Sequence, residues 1–125
     1  MKAIGKILLQ IIATIFVFII IIASIFIYIT KYRITDVAEY KNEKNNYKIL
    51  FQAVGEPEWP FGKTKVKVTL LNSNNKEVES FEEFISDDGA TARESNIKIN
   101  WNYNYVEVFL IGGEQEDSIH KINYK

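Results

Sequence analysis

The chain contains no cysteine, one histidine and only two prolines among its 125 residues. Without cysteine the protein has neither disulfides nor a thiolate metal site, and a single histidine is too few for a histidine-rich metal site. The glycine-rich motifs of nucleotide-binding proteins and the G-x-S-x-G motif of many hydrolases are also absent. We therefore predict no catalytic residue and no required cofactor, and we expect a protein that is not an enzyme.

Acidic residues are missing from the start of the chain, where Asp36 is the earliest. Residues 1–33 carry four basic side chains and no carboxylate, whereas residues 34–125 carry eleven basic and sixteen acidic side chains, a net charge of −5. Nucleic-acid binding requires a basic surface, so an acidic body predicts no nucleic-acid partner.

One long apolar segment, residues 7–29, contains no charged side chain. A helix of this length reaches roughly 34 Å, enough to cross a hydrocarbon core of about 30 Å. We predict a short basic tail over residues 1–6 and a transmembrane helix over 7–29 that contacts the lipid bilayer. A cleaved signal peptide is the alternative, but its apolar region is usually only about 7 to 15 residues long.

Two rules disagree about the orientation of this helix. The excess of basic residues after the helix favours a cytoplasmic body by the positive-inside rule; these residues are Lys31, Arg33, Lys41, Lys44 and Lys48. A basic tail directly before the first apolar segment instead favours export of the C-terminal part of the chain. We predict a single-pass protein of the cell membrane with a cytoplasmic N-terminus and an extracellular C-terminal domain.

Residues 30–46 are mostly polar and are predicted to be a juxtamembrane tether. Asp36 and Glu39 have the spacing of a capping box, which predicts one or two helical turns from Val37 to Lys44.

Residues 47–125 alternate between apolar and polar side chains with a period of two. The pattern predicts a small all-β domain of about six antiparallel strands, either a sandwich or an open barrel. The predicted strands cover residues 47–54, 64–71, 77–85, 96–101, 105–111 and 118–124. An anchor followed by a β-rich extracytoplasmic domain is similar to the arrangement in small one-pass proteins of Gram-positive bacteria.

Two groups of aromatic side chains are candidates for binding a partner. Trp59 and Phe61 lie in a loop stiffened by two prolines, GEPEWPFG at residues 55–62, and restricted backbone freedom favours recognition. The same rings also suit a plug over one end of a barrel. Tyr103, Tyr105 and Phe109 form the second group, although cross-strand packing also explains them.

Two acidic loops are weaker candidates for a calcium site, because carboxylate oxygens are the ligands that calcium prefers. The residues are Asp87, Asp88, Glu114, Glu116 and Asp117. Their spacing fits no EF-hand, and turns that contain Asp-Gly are also ordinary hairpin chemistry. His120, the single histidine, is predicted to be an ordinary strand residue.

These patterns favour a membrane-anchored, non-enzymatic binding module that captures a protein or peptide at the outer face of a bacterial membrane, such as an immunity or accessory factor. One alternative is a calcium-dependent adhesion or enzymatic domain that uses loops 87–88 and 114–117. Another is a structural subunit whose helix packs in a larger membrane complex through Gln10, Thr14 and Ser24.

Overall fold

The structure is a computed structural model that describes residues 2–124, and it begins with one long helix. Helix α1 spans Lys2–Ile27 and continues into a π-helical turn, Tyr28–Tyr32. None of the residues of α1 is buried by the rest of the chain. By length and composition this helical segment suits a membrane anchor or a signal sequence.

The two hydroxyl side chains inside α1 bond to the backbone of the helix. The Thr14 hydroxyl donates to the Gln10 carbonyl at 2.8 Å, and the Ser24 hydroxyl donates to the Ile20 carbonyl at 2.8 Å. Such bonds remove the cost of exposing a hydroxyl to an apolar environment. The hydroxyl protons of Thr14 and Ser24 are therefore already used within the helix. This gives less support to the alternative in which these hydroxyls bond to another membrane helix.

Residues 33–124 form a small all-β domain of two antiparallel sheets. The first sheet contains β1 (Ile34–Lys41), β2 (Lys48–Val54), β3 (Thr64–Leu71) and β4 (Glu77–Ile85). The second contains β5 (Ile97–Trp101), β6 (Tyr105–Leu110) and β7 (Ser118–Asn123). Within each sheet every strand pairs with the next one along the chain.

The core lies between the two sheets, as expected for a sandwich. In β3, Val66, Val68 and Leu70 are fully buried, while Lys65 and Lys67 point to the opposite face. Both sheets contribute to a single apolar cluster, which consists of Ile49, Phe51, Val66, Val68, Leu70, Ile85, Ile97, Val106, Val108, Leu110 and Ile122. The predicted fold class is confirmed, and the domain resembles a sandwich rather than an open barrel.

The helical turns predicted from Val37 to Lys44 are wrong, because β1 occupies Ile34–Lys41. Much of the predicted polar tether over residues 30–46 is therefore part of the first sheet, and residues 2–124 contain seven strands instead of about six. A bulge between Asp36 and Ala38 shifts the register with β2. One extra residue interrupts the alternation of side chains, so the sequence does not show a strand period there.

The connections between strands alternate between two ends of the sandwich. The helix-side end contains the loops at residues 55–63, 86–96 and 111–117, and backbone hydrogen bonds join Gly55 to Arg33 and Glu114 to Ser86 there. The far end contains the turns at residues 42–47, 72–76 and 102–104. Tyr47 packs on Tyr124 at this far end, with ring centroids 5.0 Å apart.

Candidate functional site

The end of the helical segment is bonded directly to the loop between β2 and β3. The backbone N–H of Glu56 donates to the Thr30 carbonyl at 2.8 Å, and that of Gly55 donates to the Arg33 carbonyl at 2.7 Å. Carbonyls at a helix C-terminus lack partners within the helix, so these bonds cap it. The Arg33 guanidinium also lies 3.4 Å from the Glu56 carboxylate. The helix and the sandwich are thus joined by backbone contacts.

Gly55 allows this close approach. Its φ is +70°, and a Cβ at this position would lie 2.8 Å from the Cα of Lys31 and would also contact the Thr30 carbonyl oxygen. A residue with a side chain resists both the positive φ and the overlap. The junction between the helical segment and the loop after β2 therefore depends on the glycine at position 55.

The aromatic loop at residues 55–62 projects from the helix-side end. Trp59 is 92% exposed and Phe61 is 74% exposed, so neither ring plugs the end of the domain. The Trp59-Pro60 peptide bond is cis. Gly62 donates its N–H to the Glu58 carbonyl at 2.7 Å, which closes the loop on itself. A mostly apolar groove separates the loop from the helix, with Phe26, Thr30, Lys31, Glu56, Pro57, Glu58 and Trp59 along its walls.

Tyr103 lies at the far end, in the turn between β5 and β6, and is 94% exposed. Two surface grooves flank this side chain, and their walls include Asn42, Asn45, Asn102, Asn104 and Asn123. The Tyr124 hydroxyl donates to the Asn102 carbonyl at 3.0 Å. Burial raises the pKa of Tyr124, so its hydroxyl remains a donor over the ordinary pH range.

Tyr105 and Phe109 lie on the outer face of the second sheet and are half-buried. The Lys121 ammonium lies 4.2 Å from the centre of the Tyr105 ring, and the Lys98 ammonium lies 5.9 Å from that of Phe109. Such cation–π contacts cover part of each ring. The second aromatic group is therefore spread over a turn and the length of β6, and only Tyr103 presents an uncovered ring.

The two acidic loops lie side by side at the helix-side end. Asp87 accepts hydrogen bonds from the Gly113 N–H at 3.0 Å, from Asn96 at 3.2 Å and from Arg93 at 2.7 Å. These donors, the Gly113 N–H above all, lower the pKa of Asp87. The Glu114 carboxylate accepts the Asp88 N–H at 2.6 Å. Two of the five candidate calcium ligands thus hold the loops together.

Among residues 2–124, no three acidic or histidine side chains are placed to hold a metal ion. Glu116 and Asp117 are exposed. A calcium site therefore stays a prediction, and the arrangement of the carboxylates adds no support for it.

His120 belongs to a small polar cluster that bridges the sheets at the edges of β4 and β7. Glu83 accepts the Ser118 hydroxyl at 2.6 Å and also contacts Nε2 of His120. The Ser118 hydroxyl lies 3.4 Å from that same nitrogen. In a catalytic triad the two ring nitrogens face different partners, the nucleophile and the acid. Here both partners meet one nitrogen, so the cluster lacks the geometry of a triad, and it links β4 to β7.

Sequence patterns do not reveal Glu83 as a partner of His120, or Gly55 as a residue of the junction. Glu83 lies 37 residues from His120 along the chain, and β1 and β2 lie between Thr30 and Gly55. Only the order of the strands brings these groups together. The glycine directly after β2 is the one available signal, since a glycine at the end of a strand often marks a positive φ.

No protein-family model, curated protein or solved structure matches this chain.

Proposed function

We propose that the protein is a single-pass membrane protein whose β domain binds a protein or peptide ligand at the outer face of a bacterial cell membrane, without catalysing a reaction. The exposed apolar surface of α1 supports the anchor, because lipid is the environment in which such a surface is stable. The basic residues that flank the apolar segment, Lys2, Lys6, Lys31 and Arg33, suit the two headgroup regions.

The observation that carries the binding proposal is the exposure of Tyr103 at the far end. A tyrosine offers a large rigid contact area at a small cost in conformational entropy, and asparagine supplies adaptable hydrogen bonds. Tyr103 combines these properties with the exposed Asn104 and Asn123. The side chains of Asn42, Asn45 and Asn102 instead bond within the turns and hold their shape. Because the opposite end of the sandwich is bonded to the helix, this surface lies on the side away from the anchor.

Two observations support binding rather than catalysis. The one histidine shares a single ring nitrogen with Glu83 and Ser118, which does not suit proton transfer to a nucleophile. The groove that Tyr103 shares with Asn104 and Asn123 lies open to solvent, whereas catalytic sites usually enclose most of a substrate. The surface therefore suits a macromolecular ligand better than a small substrate.

Site-specific photocrosslinking in intact native cells tests this function. A photoreactive phenylalanine analogue at Tyr103 should give one discrete adduct, whereas the same analogue at Phe84, on the outer face of the first sheet, should not. Placed at Lys44, across the groove from Tyr103, the analogue should lose its adduct when Tyr103→Ala is added. Equal adducts from Phe84, or an adduct that survives Tyr103→Ala, would show that the far end is not the recognition surface.

A further inference from the structure

The aromatic loop at residues 55–62 exposes two large rings at the helix-side end, although the Phe61 ring lies beside Gly89. Trp59 and Phe61 are 92% and 74% exposed, while the core residues of the same small domain are almost completely buried. Exposing apolar rings to water costs free energy, about 25 cal/mol for each Å². Neighbouring exposed rings in a small domain therefore indicate a surface that is covered in the working protein.

The position of the loop indicates what covers it. Trp59 and Pro57 face Phe26 and Thr30 across the apolar groove. Phe26 belongs to the charge-free segment at residues 7–29, and Lys31 follows just beyond Thr30. Trp59 therefore lies at the level where the apolar surface of the helix ends and the first charges begin. In a membrane protein this level is the headgroup region, where tryptophan is enriched.

The loop is also held at that level. The hydrogen bonds from Gly55 and Glu56 to the carbonyls of Arg33 and Thr30 attach its first residues to the helix. Pro57 and Pro60 restrict the backbone between them. Trp59 thus stays beside the helix, and Phe61 stays beside Gly89 at the same end of the sandwich. Both rings lose little conformational freedom when they enter a lipid surface.

Charges around the loop nearly cancel. Lys31, Arg33 and Lys63 oppose Glu56 and Glu58, and Arg33 already pairs with Glu56. The ammonium of Lys63 lies 4.5 Å from the centre of the Phe84 ring. Such a surface has little electrostatic attraction to anionic lipid, so any contact with a bilayer depends on the rings.

We propose that the aromatic loop is a second membrane contact, in which Trp59 and Phe61 enter the headgroup region of the bilayer that α1 crosses. This inference rests on the proposed membrane anchor. The surface formed by the two rings contacts lipid, whatever the charge of the lipid headgroup. The two contacts together fix the β domain against the membrane surface.

Fluorescence quenching of the full-length protein in phosphatidylcholine vesicles tests the proposal. The chain has two tryptophans, so Trp101→Phe leaves Trp59 as the reporter and Trp59→Phe leaves Trp101, at the far end, as the matched control. Lipids brominated near the headgroup should quench Trp59 several-fold more than Trp101. Adding anionic lipid should not change this ratio, whereas Phe61→Ser in the Trp59 reporter should reduce it.

Flotation of the vesicles separates the two ways in which the proposal can fail. If the protein floats with the vesicles but Trp59 is quenched by aqueous iodide and not by brominated lipid, the anchor stands and the loop faces water, free for a protein ligand. If the protein does not float, the anchor fails and this inference fails with it.

A second reporter guards against misfolding of the tryptophan variants. Because the chain has no cysteine, an environment-sensitive dye on Trp59→Cys can be compared with the same dye on Ser73→Cys, in an exposed far-end turn. A blue-shifted emission at residue 59 alone supports the proposal, and equal emission at both positions overturns it.

Discussion

At the scale of single residues, Asp87 shows how one carboxylate joins separate parts of the chain. It binds the Gly113 N–H from the loop between β6 and β7, and Asn96 and Arg93 from the loop before β5. Hydrogen bonds to a charged acceptor are stronger than those between neutral groups. In its ionised form, Asp87 therefore stabilises the helix-side end of the sandwich.

The lowered pKa of Asp87 predicts how stability depends on pH. Because the pKa is lower in the folded than in the unfolded state, where it is about 3.9, the stabilisation is complete above that value and is lost as the pH falls through the folded pKa. Asp87→Asn should reduce the loss of stability on acidification, as measured by melting temperature across this pH range. Arg93→Gln should change the profile less, since the Gly113 and Asn96 bonds remain. An unchanged profile for Asp87→Asn would contradict this account.

At the scale of elements, the junction between the helical segment and β2 predicts a clear mutational effect. Gly55→Ala forces a side chain onto a φ of +70° and against the backbone of Lys31. A positive φ alone costs about 1 to 2 kcal/mol, and the contact adds to it. We expect a loss of at least about 1 kcal/mol in the free energy of unfolding, measured by denaturant unfolding in detergent micelles.

Gly5→Ala is the matched control for that variant, because nothing lies within 4 Å of a Cβ at Gly5. It should leave the stability of the β domain unchanged. Equal stability of the Gly55→Ala and Gly5→Ala proteins would contradict this prediction. It would mean that the backbone at the junction rearranges with no loss in the free energy of unfolding.

The strands also show which elements a sequence pattern can reveal. All six strands predicted from alternation are present, because each buries alternate side chains in a common core. β1 escaped prediction because a bulge interrupts its alternation and because it is an edge strand that pairs only with β2. Polar residues such as Asp36 and Glu39 suit an exposed edge, since they oppose pairing with another chain.

At the scale of the whole molecule, the two ends of the sandwich have different surroundings. The sequence identified Trp59 and Tyr103 as candidates but did not show that they lie at opposite ends. Alternation reports which face a side chain occupies, whereas the position of a loop relative to the helix depends on contacts between distant segments. The structure places Trp59 near Phe26 and Tyr103 among the far-end asparagines.

Cysteine labelling in intact cells tests the orientation that we propose. Ser73→Cys lies in an exposed turn at the far end, and Ala3→Cys lies near the start of α1. A membrane-impermeant maleimide should label Ser73→Cys in intact cells and Ala3→Cys only after lysis. The reverse pattern would place the β domain in the cytoplasm.

The direct attachment of the sandwich to its helix also limits how far the far end can lie from the membrane. Only Arg33 separates the helical turn from β1, so the chain has no slack there. The eight residues of β1 rise by roughly 26 Å at about 3.3 Å each. On the proposed anchor, Tyr103 would stand at most about that far above the lipid, whereas a flexible tether would let it sample a wide range of heights. Ligands for this protein would therefore be found within a thin layer next to the membrane.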